Sequence, residues 1–308
     1  MDFELSEEHK MIQSLVRDFV AGQIRPLERE LLGRSADISD ARASLSAEKE
    51  AELVKLVMDM GLWNAGVPEE FGGPGLDMVG TCLVEEELAQ TVVPFNFGDV
   101  SPVLYECSEA QRTHYLEPAL RNEKKPYLAL FENENGAGSL QRMMQAEPDG
   151  GGFVLNGLKL SLSRARSDYF AVVFARTANG ISCFLVDRDT PGFKVENRNA
   201  GAGWRVQVKE PLSLVFENCR VRAENILGEV DKALHLGKQW LQQRRIVRSA
   251  RSVGIGRRLL EEAAVQAGSR ESFGLSMQVR SSVQAAIADI AAQVHSAALT
   301  VYEAAWKA

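Results

Sequence analysis

The first chemistry this chain offers lies around a glycine turn, where small hydroxyl- and amide-bearing residues gather. Asn133, Gly136, Gly138 and Ser139 sit within residues 131–139, and Asn156-Gly157-Leu158-Lys159-Leu160-Ser161-Leu162-Ser163 follows. Glycine has no Cβ, so backbone at Gly136 and Gly138 can come close to a ligand. Asn156-Gly157, preceded by Phe153, Val154 and Leu155, predicts a tight hairpin, and residues 147–152 also carry turn chemistry. A cationic stretch comes later: Arg244, Arg245, Arg248, Arg251, Arg257 and Arg258, then Arg270 beyond it. Glu85, Glu86 and Glu87 are consecutive acids and point in different directions around a helix, which predicts a solvated face rather than paired catalytic carboxylates. His9, His114, His235 and His295 show no metal-ligand spacing and read as structural or surface residues, and no metal site is expected.

Composition narrows the classes of function. The 308 residues are 45% hydrophobic, enough for a sizeable core in two or more domains. A net charge of −7 argues against nucleic acid as a partner. No apolar run approaches the roughly 18–20 residues needed to span a bilayer. Met1-Asp2-Phe3-Glu4-Leu5 lacks the basic and apolar regions of a secretory signal and is too acidic for a transit peptide. Cys82, Cys107, Cys183 and Cys219 are scattered, which predicts reduced thiols in a cytoplasmic protein.

The elements that must position these residues fall into three blocks, 1–126, 127–230 and 231–308. Apolar residues at helix spacing run from Phe3 through Phe19 in a helix predicted over 3–31, opened by Ser6 and its acids. A helix over 47–60 should end at Gly61, and another covers 79–90. Between them, Gly72-Gly73-Pro74-Gly75 makes an irregular turn. From Tyr127 to Gly228 the pattern becomes short β runs, including 169–175 and 181–186 around Asn179-Gly180, and alternating Leu212–Phe216. Helical periodicity then continues to the end.

Several of these segments resemble the acyl-CoA dehydrogenase family. Residues 131–139 resemble its Thr-Glu-Pro-x-Ala-Gly-Ser-Asp segment, and Asn156–Ser163 its Asn-Gly-x-Lys-x-Trp-Ile-Thr segment. Pro68–Leu76, Glu86-Glu87-Leu88-Ala89, Ser108–Leu120, Leu214–Val221 and Asn225–Gly228 resemble further stretches, as do Val253–Ala263, Arg270-Glu271-Ser272-Phe273-Gly274 and Ala288-Asp289-Ile290. The resemblance covers nearly all of the chain. It implies an α+β multidomain fold: a helical N-terminal domain, a middle β barrel, and a helical C-terminal bundle that is incomplete at Ala308.

The same resemblance implies a site. FAD would be held by Asn133, Gly138, Ser139, Ser163, Arg270 and Phe273, with Arg270 reaching a neighbouring subunit's pyrophosphate. Ser139 and Arg245 would meet the acyl-CoA, and the basic stretch is either a solvated face or a contact for CoA phosphates. Departures matter too. Ser161 stands for the family's tryptophan, Asn135 for proline and Leu140 for aspartate, and Gly203–Lys209 lacks two usual hydroxyls. α,β-Dehydrogenation needs a carboxylate to take the α proton while FAD accepts hydride from the β carbon. The position that carries this base in one branch of the family is Arg244 here, and the other branch's position lies beyond Ala308. The catalytic residue is therefore unassigned. The expectation is an FAD-dependent acyl-CoA dehydrogenase working as one subunit of a heteromeric complex. It would act on a fatty or steroid-side-chain thioester, beside a second such subunit or its own copy, and pass electrons to an acceptor. The alternative is an inert member kept as a structural or regulatory partner.

Overall fold

The computed structural model describes residues 4–34, 45–98, 100–130, 132, 144–161, 168–197 and 212–308. Helices are α1 (Glu7–Phe19), α2 (Pro26–Arg34), α3 (Ala47–Asp59), α4 (Met78–Leu88), the short α5 (Glu109–Gln111) and α6 (Glu117–Leu120), α7 (Leu234–Ser269) and α8 (Ser281–Trp306). Side-chain caps set where they start. Ser6 accepts from the His9 amide at 3.1 Å, Ser46 from Lys49 at 3.2 Å, and Asp77 from Gly80 at 2.7 Å. The predicted helix over 3–31 is interrupted by a π-helical turn, Val20–Ile24, before Pro26 restarts it. Helix α3 ends as expected: Gly61 takes φ +71°, the left-handed conformation glycine adopts at no steric cost.

The chain divides into two compact units. One contains residues 1–38, 42–97 and 242–308; the other, residues 39–41 and 98–241. In the first, Val16, Phe19, Leu53, Val57 and Leu88 bury one face each of α1, α3 and α4. Each fully buried Leu or Val there contributes about 1.5–3 kcal/mol. A second cluster joins Cys82 of α4 to Ala250 and Val253 of α7 and to Ala298, Val301 and Ala305 of α8. Small residues at this junction bring the helices close: a Cβ on Gly254 would lie 2.0 Å from the Glu86 carbonyl oxygen.

The second unit is built on an eight-stranded sheet. Its strands are β1 (Lys125–Ala129), β2 (Gln145–Asp149), β3 (Gly152–Ser161), β4 (Tyr169–Arg176), β5 (Ile181–Asp187), β6 (Phe193–Asn197), β7 (Leu212–Arg222) and β8 (Ile226–Leu227). The order is β6-β7-β3-β2-β4-β5-β8, with β1 parallel to β4. Among the described residues this path does not close on itself, so the expected barrel is seen as an open sheet with β6 and β8 at its ends. Residues Phe170 to Ala175 are all buried, the signature of a strand covered on both faces.

The Asn156-Gly157 hairpin is not formed. β3 runs straight through it, and the turn that joins β2 to β3 lies earlier, at Gly150-Gly151, with φ of +56° and +109°. Asn156-Gly157 instead serves a β-bulge. Pairing steps from Leu155↔Cys219 to Gly157↔Phe216, so Glu217 and Asn218 of β7 both face Asn156. The Asn156 side chain accepts from the Asn218 amide at 2.7 Å, and Gly157 adopts φ +142° with Met144 packed against it.

Candidate functional site

Of the expected cofactor residues, Asn133, Gly138, Ser139 and Ser163 lie outside the described residues, as do Asn135, Leu140 and 198–211. Glu132 precedes the segment 133–143 and Met144 follows it. A single carboxylate oxygen, Glu132 Oε1, accepts from the Met144 amide at 2.7 Å and from Lys159 Nζ at 2.6 Å. Lys159 is fully buried near the end of β3, and burial pulls its pKa below the usual lysine value, opposed by the adjacent Glu132 carboxylate. Breaking one half of such a buried pair costs about 3–5 kcal/mol, because the other charge is left uncompensated.

Arg270 and Phe273 fall on a different kind of element from the ordinary helix that sequence alone would also allow. After α7 ends at Ser269, Glu271–Ser272 (β9) and Leu275–Ser276 (β10) pair antiparallel, with Phe273-Gly274 at the tip. Both tip residues have positive φ, +55° and +75°. This is the two-residue turn that glycine and asparagine usually supply. A bulky phenylalanine there is strained, and such strain collects where side chains are displayed for a purpose. Phe273 is 96% exposed, and the Arg280 guanidinium lies 6.0 Å from its ring centroid. The Arg280 Nη2 donates to the Ser272 carbonyl at 2.9 Å and so braces the turn. Arg270 is exposed and makes no ion pair among the described residues. An exposed guanidinium and an exposed aromatic ring in one short segment are the groups a pyrophosphate and a flanking ring system require, so these residues fit FAD.

Arg245 is exposed on α7, one position after the partly buried Arg244. Most of the remaining basic stretch is neither a solvated face nor an anion site. Arg251 pairs with Glu85 at 2.7 Å, Arg257 with Glu86 at 3.0 Å, and Arg258 with Glu28 at 3.4 Å and Glu262 at 2.6 Å. The acids of α4 are corrected by the same contacts. Glu86 and Glu87 are buried, not solvated, because α1, α7 and α8 bring cations and a hydroxyl to them. Tyr302 donates to Glu86 Oε2 at 2.6 Å, and Arg17 reaches Glu87 Oε1 at 2.8 Å. Arg257 meets Glu86 Oε1 as an ion pair without hydrogen-bond alignment. Burial raises the Glu86 pKa above the carboxylate norm, opposed by Tyr302 and Arg257. Glu261 and Glu262, the nearest acids past Arg244 on α7, are engaged with Arg25 and Arg258.

Glu132 and Lys159 lie within the motif segments 131–139 and 156–163, where the resemblance assigns roles to their neighbours alone. The signal was there: a lysine at a core position of a strand demands a buried acid. Among the described residues no cluster of His, Cys, Asp and Glu could hold a metal, and no helix is long and apolar enough to cross a membrane.

Along the chain, helices come before and after a mixed sheet, and an exposed Arg and Phe follow the long α7. The N-terminal, middle and C-terminal domains of acyl-CoA dehydrogenase match residues 6–123, 129–219 and 235–308. The (R)-benzylsuccinyl-CoA dehydrogenase of Thauera aromatica is 33% identical over all of this chain and 79% of its own length. Butyryl-CoA dehydrogenase from Megasphaera elsdenii superposes with a TM-score of 0.83 at 27% identity, covering 100% of this chain and 81% of that one. An acyl-CoA dehydrogenase from Bacillus anthracis complexed with FAD gives 0.78 at 26%, covering 97% and 51%. The chain belongs to the acyl-CoA dehydrogenase family. It is an oxidoreductase of that kind, FAD is its cofactor, and the reaction is dehydrogenation of an acyl-CoA.

Proposed function

We propose that this chain acts as one subunit of a heteromeric acyl-CoA dehydrogenase and passes electrons to a separate acceptor protein. Bound FAD supplies the hydride acceptor, and the chain's own residues bind and orient. Arg270 neutralises pyrophosphate charge on FAD held by a neighbouring subunit, and Phe273 flanks it. Asn133, Gly138, Ser139 and Ser163 contact the flavin of this subunit's own site, and Ser139 and Arg245 meet the thioester substrate. The observation that carries this reading is the Arg270–Phe273 turn. A 96% exposed ring on a strained backbone, in the same short segment as a guanidinium with no ion pair among the described residues, suits contact with a neighbour better than isolation in water.

Heteromeric assembly is supported by the departures within the pocket sequence, Ser161, Asn135 and Leu140, and by Arg244 at a base position. A guanidinium stays protonated and cannot take a proton. A partner subunit would then complete the flavin pocket and supply the carboxylate. The substrate class is a fatty or steroid-side-chain acyl thioester, and the benzylsuccinyl relative adds aryl-substituted acyl groups to the series worth assaying. The test is to express the chain alone and together with a second family subunit encoded beside it, then measure FAD per complex and acyl-CoA turnover. Stoichiometric FAD and full turnover by the chain alone would contradict the heteromer. An FAD-containing complex that turns over no acyl-CoA would make the chain an inert partner.

A further inference from the structure

We propose that Arg280 is a positioning residue for the cofactor: from the start of α8 its guanidinium holds the hairpin 270–277 that carries Arg270 and Phe273. The proposal rests on the reading that Arg270 and Phe273 reach the FAD of a neighbouring subunit.

The hairpin needs holding. Its strands β9 and β10 contribute two residues each, and a two-stranded hairpin of that length is marginal by itself. Its tip carries Phe273 at φ +55°, a conformation that a bulky side chain keeps only where its surroundings enforce it. The base of the hairpin is closed twice. The Met277 amide donates to the Arg270 carbonyl at 2.8 Å, and Ser276 Oγ donates to the Ala267 carbonyl at 3.3 Å. Neither bond reaches the tip. Arg280 does: its Nη2 donates to the Ser272 carbonyl at 2.9 Å, and its guanidinium lies 6.0 Å from the Phe273 ring centroid. The backbone of Arg280 is itself fixed. Its amide donates to the Met277 carbonyl at 3.2 Å, and its carbonyl accepts from the Val283 and Gln284 amides, each at 3.0 Å. The brace therefore runs from the first turn of a 26-residue helix to the residue before the tip. Arginine is a costly way to fill this space, because its Nε is buried with no hydrogen-bond partner. An apolar side chain would avoid that cost, but it could neither bond the carbonyl nor place a cation by the ring. A cofactor contact needs such support, because its groups must be held to within about 0.5 Å of their binding geometry.

A residue that acts through the hairpin is separable from one that touches FAD itself. The assembled protein is compared with three variants: Arg280→Met, which keeps the stem and loses the guanidinium; Arg270→Ala with Phe273→Ala; and all three substitutions together. FAD affinity is measured by equilibrium dialysis, and hydrogen exchange over residues 271–276 is followed in the FAD-free protein. Arg280→Met should weaken FAD binding about tenfold, the scale of one charge-assisted hydrogen bond. It should also speed exchange over 271–276 while α7 and α8 exchange at wild-type rates. In the chain that already lacks the Arg270 and Phe273 side chains, Arg280→Met should cost no further affinity, because it acts only through them. Wild-type affinity in Arg280→Met, or unchanged exchange over 271–276, overturns the proposal. So does an equal further loss in the triple variant, which would mean that Arg280 touches FAD directly. Where Arg280→Met disturbs α7 or α8, Arg280→Lys decides, since it keeps the charge but not the planar fork. Faster exchange over 271–276 in that variant must come with weaker FAD binding, and wild-type affinity there overturns the proposal. Full FAD affinity without the Arg270 and Phe273 side chains would overturn the reading that they reach FAD, and the proposal with it. Weakened binding in that variant beside wild-type affinity in Arg280→Met overturns the proposal alone.

Discussion

Three glycines in α7 give the sharpest test of how this helix is seated. Gly254 packs against the backbone of α4, where a Cβ would stand 2.0 Å from the Glu86 carbonyl oxygen and 3.0 Å from the Ala89 Cβ. Alanine in mid-helix gains about 1 kcal/mol over glycine. A backbone carbonyl cannot rotate aside, so the overpacking penalty sits at or above the top of the usual ~1–3 kcal/mol. Relieving the overlap by separating the helices would open the contact of Cys82 with Ala250 and Val253, and a gap of ~0.5–1 Å forfeits a quarter to a half of each contact. The net for Gly254→Ala is a loss of about 2 kcal/mol. At Gly256 the nearest atom is Val294 Cγ2 at 3.0 Å, on a side chain that can turn. Gly256→Ala should therefore change stability little. Gly268 meets only Gln278 Oε1 at 3.6 Å, so Gly268→Ala should gain up to about 1 kcal/mol. Urea unfolding of the three variants measures the order. If Gly254→Ala is as stable as Gly268→Ala, α7 is not seated on α4 through this glycine.

Arg270→Ala in the assembled complex should weaken FAD binding by about 1.5–3 kcal/mol while leaving secondary structure intact, and unchanged affinity would remove Arg270 from the site. Glu86 has a folded pKa raised above 4.5 by burial, so its contribution to stability is fully present below pH 4.5 and is lost as pH rises through the raised value. Glu86→Gln removes that titration. Wild-type stability relative to the variant should therefore fall as pH rises above 4.5, and a difference independent of pH would show that Glu86 does not titrate upward. Burial pushes the Cys82 and Cys107 thiols to about 12 and Cys219 to about 11, and raises Cys183 as well. A disulfide reagent at neutral pH should label none of them until the protein unfolds, and rapid labelling of any one would contradict its burial.

The order of elements was legible because apolar spacing and turn chemistry are local. Ser6 caps α1 where its side chain predicts, and strands 169–176 and 181–187 follow their β-branched and aromatic runs. What misled were features whose meaning is set by distant partners. Asn156-Gly157 has the composition of a hairpin, yet β7 pairs with both sides of it and uses the asparagine to fill a bulge. Glu85-Glu86-Glu87 looks solvated until Arg251, Arg257, Arg17 and Tyr302, from three other helices, are brought to it. Arg270 and Phe273 enter only through the resemblance of 270–274 to a family motif. No local rule could have placed that phenylalanine at the tip of a positive-φ turn.

The central claim, flavin-dependent oxidation of an acyl-CoA, is tested most directly by mixing the FAD-containing assembly anaerobically with a series of saturated acyl-CoA thioesters. Flavin absorbance and enoyl-CoA are followed together. The account predicts bleaching of the oxidised flavin with one equivalent of enoyl-CoA for at least one thioester. It also predicts that Glu261→Gln and Glu262→Gln, whose carboxylates are tied to Arg25 and Arg258, leave this reduction intact. Flavin that stays oxidised with every thioester, in an assembly that holds FAD and binds acyl-CoA, would contradict it.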